Sequence, residues 1–403
     1  MSRGTSTLDR RQLLRIFGAV AAAGATGGLV ACTSDTASQR GVKPSGLTIP
    51  VGLVVPTSGP FAGVGEDIKR GFTLFLETNN NLLGPHNIDL RIADEGKTPD
   101  SALAAVSGLM DQSVVAVAGI ANPDALPGIA LKAQDQRIPV VSSNAASGRL
   151  TNALYIWRAG AVLGDSGRAL ASYAKQQGSR TYVMYESSTS GQEEFDSFRT
   201  EFAQQLRGEI VQSPDELSSG QAEGSDNFPD RLTQAVNRGA DSIFAAFSGD
   251  DAISLIKAYH DLRIGVKLLG TGSLTEAYDL TKIKALPQNV FTAMYYAPDL
   301  DNDANRRFVT GFHRKYGVQP SSYAMAGYDS AGVLDRALGQ VPTGPNGPAI
   351  NQAFSALGQI DSPRGTWTFN INRSPQQKWY LRHLALDGQV PSNLLDSNLA
   401  VLG

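Results

Sequence analysis

The segment Val51–Gly65 reads Val-Gly-Leu-Val-Val-Pro-Thr-Ser-Gly-Pro-Phe-Ala-Gly-Val-Gly, an apolar run followed by turn-forming residues. A short apolar run without polar alternation is typical of a strand that is covered on both faces, as in a parallel sheet. Behind the turn, apolar residues recur at the spacing of an amphipathic helix: Ile68, Phe72, Phe75 and Leu76. This strand–turn–helix unit predicts an α/β fold.

The same alternation continues along the chain. Apolar runs predict strands at Leu47–Val55, Ile88–Ile92, Val114–Ala118, Ile138–Val141, Tyr182–Tyr185, Ser242–Phe247, Val266–Leu269 and Val290–Met294. Helical patterns separate these runs, and repeated βα units favour parallel sheets joined by right-handed crossovers. Because a domain usually takes roughly 100–200 residues, we expect two doubly wound lobes rather than one very large sheet.

Composition and charge exclude several classes of protein. The chain has 403 residues, 41% hydrophobic and 18% charged, as in a soluble globular protein. Without residues 1–31, which hold four Arg and one Asp, it keeps 31 basic and 37 acidic side chains, a net charge of −6. Such a surface does not favour nucleic acid. The single Cys excludes an internal disulfide.

The first residues are predicted to be an export signal. Arg10 and Arg11 precede an apolar run, Ile16–Ala31, which is too short and too rich in Gly and Ala for a transmembrane helix. The pair resembles a twin-arginine signal, although Leu13 and Arg15 stand where the commonest signals have Phe and Lys. We expect residues 1–31 to be cleaved, with the general secretory route as the alternative and an amphipathic or buried helix as the other interpretation.

Leu29-Val30-Ala31-Cys32 resembles a bacterial lipobox, in which the Cys thiol is lipidated and the chain is cut before it. The alternative is a buried free thiol. Residues 32–46 lack apolar periodicity and are predicted to be a flexible tether. We therefore expect a lipid anchor at Cys32 that holds a monomer at the outer face of the bacterial cytoplasmic membrane.

The opening Val51–Gly65, with Glu66-Asp67 after it, resembles the start of the branched-chain-amino-acid type of periplasmic binding protein. Further matching segments follow in the same order, and together they cover about residues 47–385: Ala93-Asp94-Glu95, Val117-Ala118-Gly119, Arg137–Ser143, Gly270-Thr271-Gly272, Phe308–Gly317, Ser322-Tyr323-Ala324 and Tyr328-Asp329. The resemblance implies the type I fold of this family: two doubly wound parallel-sheet lobes joined by three hinge crossings, with the ligand between the lobes.

On this pattern the chain divides into discontinuous lobes. The predicted divisions are lobe 1 at 47–158 with a return at 292–363, and lobe 2 at 159–291 with a return and tail at 364–403. The three crossings are expected near Trp157–Gly160, Val290–Met294 and Ser362–Thr366.

The resemblance also implies ligand contacts on the first lobe. Asn122 follows the third strand where the family commonly has a Ser that holds the ligand carboxylate, and its amide can donate a hydrogen bond too. Ala145 and Ser147 stand where an Ala backbone and a Thr hydroxyl face the ligand. The alternatives are a helix cap for Asn122 and ordinary turn chemistry for Ser147.

On the second lobe the expected contacts are Ser190, Asp250 and Gly272. Ser190 stands where the family often has an aromatic residue, and Asp250 follows a strand, although Asp250 and Asp251 also suit a helix N-terminus. Gly272 stands where amino-acid binders place a Glu that pairs with the ligand ammonium, and Glu276 comes a few residues late. This departure weakens the case for a free α-amino acid as the ligand.

Enzyme motifs are missing from the sequence. Neither a Gly-x-Ser-x-Gly elbow nor a Gly-x-x-x-x-Gly-Lys phosphate loop occurs. The four histidines are far apart and give no metal-ligand spacing: His86, His260, His313 and His383. We therefore expect no catalysis, no metal and no cofactor.

The predicted function is capture of a small solute, such as an amino acid, an amide or a small carboxylate, for an ABC importer with permease and ATPase subunits. The alternative is a ligand-sensing receptor of the same fold that signals to a membrane partner.

Overall fold

The computed structural model describes residues 44–403 except 145, 214–215, 218–220, 223–226, 277–279, 281–282 and 284–287. The predicted signal segment, the lipidation site Cys32, most of the predicted tether and the ligand contact Ala145 lie outside the described residues. None of the helices in the described ranges is long and apolar enough to cross a bilayer.

A six-stranded sheet forms the first lobe. Its strands are β1 (Thr48–Val55), β2 (Leu82–Leu83), β3 (His86–Asp94), β4 (Val117–Gly119), β5 (Val140–Ser142) and β6 (Ile156–Arg158). Their spatial order is β2-β3-β1-β4-β5-β6, and all neighbours are parallel except β2 and β3. The chain thus winds outward from β1 in both directions, as the sequence predicts for a doubly wound sheet.

A larger, mixed sheet forms the second lobe, and the two strands at one edge of this sheet pack into the core of the first lobe. Its strands are β7 (Arg180–Glu186), β8 (Glu209–Ile210), β9 (Gln221–Ala222), β10 (Ser242–Ala246), β11 (Lys267–Thr271), β12 (Val290–Met294), β13 (Ile360–Ser362), β14 (Gly365–Phe369), β15 (Pro375–Asp387) and β16 (Val390–Leu402). The order is β13-β14-β15-β12-β11-β10-β7-β8. Strands β7, β10, β11 and β12 are parallel, whereas β15 joins β12 in antiparallel fashion.

Helices lie between the strands. Their bounds are α1 (Ala62–Thr78), α2 (Pro99–Asp111), α3 (Leu126–Gln136), α4 (Asp165–Gln177), α5 (Thr189–Arg199), α6 (Phe228–Asn237), α7 (Gly249–Asp261), α8 (Asp303–Tyr316), α9 (Ser322–Gly339) and α10 (Gly347–Ser355). Short 3-10 turns occupy Pro123–Ala125 and Gly272–Thr275, and a π-helical turn follows α5 at Thr200–Gln205.

Each sheet is buried on both faces. In the first lobe, Val51 and Leu53 pack with α1, α9 and α10, while Val54 packs with α2 and α3 on the opposite face. In the second lobe, Val183 and Phe244 face α4 and α5, and their neighbours in sequence face α6 and α7. This two-sided burial explains why the strands are continuous apolar runs.

Helices α1 and α9 cross at unusually close range. A Cβ atom on Gly71 would lie 1.8 Å from the backbone oxygen of Ala324, and one on Gly327 would lie 2.2 Å from that of Ile68. Any side chain at either position would collide with backbone, so the contact depends on both glycines.

The C-terminal part of the chain forms a long hairpin, β15–β16, where the sequence predicts only a return and a tail. Gly388 turns the chain with a φ of +67°, and the pairing continues to Gln377 opposite Leu402. The register shifts twice, between Trp379 and Tyr380 and between Leu381 and Arg382.

A buried Arg–Asp pair joins the segments that connect the lobes. Arg364 donates to the Asp329 carboxylate at 2.8 Å and to the backbone oxygens of Ala159 and Gly160. Its guanidinium also lies 5.3 Å from the ring centre of Tyr295. One side chain therefore brings together segments that are far apart in the sequence, at Ala159–Gly160, Tyr295 and Asp329. The segment Val290–Met294 itself is strand β12, and the chain leaves the larger sheet after it.

Candidate functional site

The candidate site is a rim of loops at the carboxyl ends of the parallel strands in both lobes. The first lobe contributes the loops after β4 and β5, and the second contributes the N-termini of α5 and α7 and the 3-10 turn after β11. Open α/β sheets bind ligands at this end because the strand ends and the following helix N-termini expose polar backbone groups there.

Asn122 lies in the loop after β4, where it is held by the protein itself. Its backbone N–H donates to Glu95 at 2.7 Å, and its side-chain Oδ1 accepts from the N–H of Asp124 at 3.0 Å. The side chain thus caps the 3-10 turn Pro123–Ala125, which is the alternative the sequence left open. No described residue accepts a hydrogen bond from its Nδ2 group.

Glu95 is a buried carboxylate that the sequence reasoning did not assign to the site. Its two oxygens accept from the N–H groups of Ala121 and Asn122, both at 2.7 Å. Burial raises the pKa of Glu95, and the two N–H donors oppose that shift by favouring the charged form. The carboxylate therefore takes up both backbone donors of the loop after β4.

Ser147 lies in the loop after β5 and contacts the opposite lobe. Its hydroxyl donates to Oε1 of Glu193 in α5 at 2.5 Å, and the N–H of Gly148 donates to Oε2 at 3.1 Å. The Ser147 oxygen also accepts from the N–H of Arg149. Glu193 is buried, so this contact joins the two lobes directly beside the predicted ligand position.

Ser190 and Asp250 lie at the start of two neighbouring helices of the second lobe. Ser190 is half-buried in the first turn of α5, one turn before Glu193, and Asp250 is exposed in the first turn of α7. Glu186, at the end of β7, links the two helix starts because its carboxylate accepts from the hydroxyls of Ser188 and Ser248.

Gly272 is buried at the start of the turn after β11, and the side chain of Met294 fills the space beside it. A Cβ atom would lie 2.5 Å from the sulfur of Met294 and 3.0 Å from the backbone oxygen of Ala293. Its own backbone oxygen accepts from Arg382 at 3.1 Å. A Glu at this position, where the family resemblance places one in amino-acid binders, would require the Met294 side chain to move.

Glu276 has a structural partner and is closed off from solvent. Its carboxylate accepts from Arg382 at 3.1 Å and from the N–H of Ser322 in α9 at 3.1 Å, and both charged side chains are 1% exposed. This ion pair stands against the possibility, left open by the sequence, that Glu276 binds a ligand ammonium.

The rim is continuous. The Asn144 amide donates to the oxygen of Ala121 and joins the loops after β4 and β5, and Glu193 joins the second loop to α5. Glu186 joins α5 to α7, and Ser273 donates to the oxygen of Phe247 between β11 and β10. The described candidate contacts thus follow one another along the rim, and the three carboxylate or amide groups that link them, Asn144, Glu193 and Glu186, were absent from the sequence prediction.

The sequence indicates only weakly that Glu95 belongs to the site and does not indicate that Glu193 does. Glu95 follows a strand directly, which is the position of a rim residue, but Glu193 lies inside a helix pattern and shows no signal of its own. In the described ranges, no group of three or more His, Cys, Asp or Glu side chains is placed to hold a metal ion.

The model of the family described as periplasmic binding protein matches residues 48–389, which includes nearly all of the described chain. The chain belongs to this family. The predicted family and the predicted type I fold are thereby confirmed.

Curated relatives and solved structures agree with this membership. A Leu/Ile/Val-binding protein homolog of Brucella melitensis is 24% identical over 349 residues, covering 84% of this chain and 87% of the relative. A solute-binding protein of an ABC transporter from R. palustris, solved with benzoate, is 25% identical with a TM-score of 0.75 and covers 88% of this chain and 98% of its own.

A third similar protein shares the fold at lower identity. It is a branched-chain amino acid transporter substrate-binding protein from Streptococcus pneumoniae, solved with isoleucine. It is 18% identical, has a TM-score of 0.74, and covers 87% of this periplasmic binding protein and 99% of its own chain.

Proposed function

We propose that this periplasmic binding protein captures a small solute between its two lobes, without chemical change, and delivers it to the permease and ATPase subunits of an ABC importer. The observation that carries the proposal is the rim, which places polar groups of both lobes along one edge. A solute that contacts both lobes binds the closed form more tightly than the open form, so binding drives closure.

The named relatives support a small solute. The protein from R. palustris, described as a solute-binding protein of an ABC transporter, was solved with benzoate, and the one from Streptococcus pneumoniae, described as a branched-chain amino acid transporter substrate-binding protein, was solved with isoleucine. In this chain we assign solute contact to Asn122, Ser147 and Ser190 and to the neighbouring positions Ala145, Asp250 and Gly272.

Thermal unfolding of the chain without residues 1–31 tests solute capture. A solute that binds only the native state raises the melting temperature in a saturable way, and we expect this for one member of a panel of amino acids, amides and aromatic acids. The recovered solute should be unchanged in mass. A chemically altered product would contradict binding without chemistry.

Ser147→Ala tests the placement of the site. Loss of one neutral hydrogen bond should weaken binding of that solute by about 0.5–1.5 kcal/mol in titration calorimetry. Ser355→Ala, at the last turn of α10 on the surface, serves as the control. Equal affinity in the native chain and the Ser147 variant would remove Ser147 from the site.

We further propose that the chain is exported and held by lipid on Cys32. A lipobox-like stretch ends at this residue, and a polar segment follows it. Mass spectrometry of membrane-fraction protein should find a lipidated Cys32 as the first residue, and Cys32→Ser should move the protein to the soluble fraction. A membrane-bound chain that still carries residues 1–31 would contradict the proposal.

A further inference from the structure

We propose that Glu193 is a specificity-determining residue whose carboxylate excludes a free carboxylate from the loop after β5, so that the cleft accepts an amide or amine instead. The inference rests on the proposed solute capture and narrows the class of solute. The inference is based on hydrogen bonds in the two loops of the first lobe: carboxylates of the protein already accept from the donors that would otherwise bind a ligand carboxylate.

The first such carboxylate belongs to Glu193. Its two oxygens accept from the Ser147 hydroxyl at 2.5 Å and from the Gly148 N–H at 3.1 Å, and the residue is 7% exposed. A hydroxyl has a single hydrogen to donate. Because that hydrogen points to Glu193, Ser147 offers a ligand only its oxygen lone pairs, one of which already accepts from Arg149.

The second carboxylate belongs to Glu95 and acts on the neighbouring loop. Its oxygens take the N–H groups of Ala121 and Asn122, each at 2.7 Å, and the residue is 1% exposed. Of the groups that Asn122 brings to the rim, the Nδ2 amide is the donor that remains. It suits a ligand carbonyl oxygen, whereas Ser147 suits a ligand N–H.

The charges around these loops also disfavour an anion. The carboxylates of Glu193 and Glu95 lie within hydrogen-bond distance of these loops, next to Ser147 and Asn122. Arg149 approaches Glu193 to 4.0 Å, but its side chain is 74% exposed and is shared with Asp196. Water screens this exposed guanidinium, so it offsets the buried carboxylate only weakly.

The Ser147 oxygen and the Asn122 Nδ2 group therefore favour the same class of ligand. An acceptor at Ser147 and an amide donor at Asn122 match a ligand that has both N–H and C=O groups, or an amine next to an acceptor. A free carboxylate has no hydrogen to give Ser147 and faces the charge of Glu193 at close range.

Benzoate is the probe that tests the role of Glu193, because a related protein was solved with it. We measure its binding to the native chain, to Glu193→Ala and to Glu209→Ala, which removes an exposed carboxylate on the second lobe as a matched control. Glu193→Ala frees the Ser147 hydroxyl and the Gly148 N–H for a charged acceptor. We expect at least about tenfold tighter benzoate binding to this variant than to the other two chains.

Each result decides the inference. The inference is overturned if the native chain and Glu193→Ala bind benzoate with the same affinity. It is also overturned if none of the three chains binds benzoate. If Glu193→Ala loses its cooperative unfolding transition, Glu193→Gln replaces it and should gain a smaller part of the affinity, while no gain overturns the inference. The benzoate comparison does not depend on the natural solute. If no solute of the panel raises the melting temperature, that result therefore counts against the proposed function and not against the role of Glu193.

Discussion

Buried carboxylates accept hydrogen bonds from backbone N–H groups in the loops and helix starts near the strand ends. Glu194, next to Glu193 in α5, accepts from the N–H of Gly167 at 2.7 Å and thereby fixes the first turn of α4. Glu194 is half-buried as a whole residue, and burial of its carboxyl group raises its pKa from the usual 4.5 to about 8. The titration of Glu194 should therefore be visible in the stability of the fold.

We expect Glu194→Gln to reduce the loss of stability as the pH rises. In the unfolded chain the carboxyl ionises near pH 4.5, whereas in the fold it stays protonated to about pH 8. Between these values the unfolded state binds fewer protons, so the free energy of unfolding falls with rising pH. Gln is neutral throughout, and urea unfolding at a series of pH values should give a flatter profile for this variant.

Glu209→Gln is the matched control, because this side chain is exposed and should leave the profile unchanged. Parallel profiles for the native chain and Glu194→Gln would contradict the expected titration of Glu194.

At the residue scale, the sequence predicted where site residues lie in the fold better than it predicted which residues they hydrogen-bond. Asn122 and Ser147 do lie on the rim, because strand–turn–helix order is enough to place a loop residue. Their hydrogen bonds to Glu95 and Glu193 could not be predicted, since each pair joins segments that only tertiary packing brings together. Whether they contact a solute stays a prediction.

At the element scale, the crossing of α1 and α9 depends on two glycines. We expect Gly71→Ala and Gly327→Ala each to lower the free energy of unfolding by about 1–3 kcal/mol or more, because the added methyl group meets backbone that cannot move aside. Denaturant unfolding with a constant m-value measures the effect.

Gly108→Ala in α2 is the control for helix propensity. Nothing lies within 4 Å of its Cβ position, so this change should stabilise by about 0.5–1 kcal/mol. Stabilisation at Gly71 or Gly327 as well would mean that the helices are farther apart than described.

Element prediction from sequence was accurate in the parallel strands and poor in the antiparallel hairpin. The run Val290–Met294 is strand β12 with the predicted bounds, because both of its faces are buried. In β15–β16 many side chains face solvent, so the apolar run that marks a buried strand is missing. Strands β4 and β5 are shorter than their apolar runs and have three residues each.

At the scale of the whole molecule, the buried Arg364–Asp329 ion pair joins segments that are far apart in the sequence. We expect Arg364→Ala to cost about 3–5 kcal/mol of unfolding free energy, because it leaves the Asp329 carboxylate buried without its cation. Arg306→Ala, which breaks only exposed pairs, should change stability by no more than about 0.5 kcal/mol. Similar small effects for both variants would show that the pair is dispensable.

The two-lobe organisation itself was predictable from the length of the chain and the count of strand–helix units. The division into discontinuous lobes rests only on the family resemblance and stays a prediction, since composition does not change at the expected crossings. The Arg364 contacts to Ala159, Gly160 and Asp329 join residues far apart in the sequence, and no local pattern marks them.

The hairpin β15–β16 leaves β16 with β15 as its one strand partner among the described strands, and an unpaired strand edge invites other chains to add to it. Here the edge is blunted in three ways. Two register shifts bend the hairpin, Pro391 removes one N–H, and the Asp299 carboxylate accepts from the outward N–H of Leu395 at 3.0 Å. We therefore expect little edge-to-edge association of the native chain, whereas Asp299→Ala, which leaves the Leu395 N–H without this acceptor, should increase light scattering at high protein concentration.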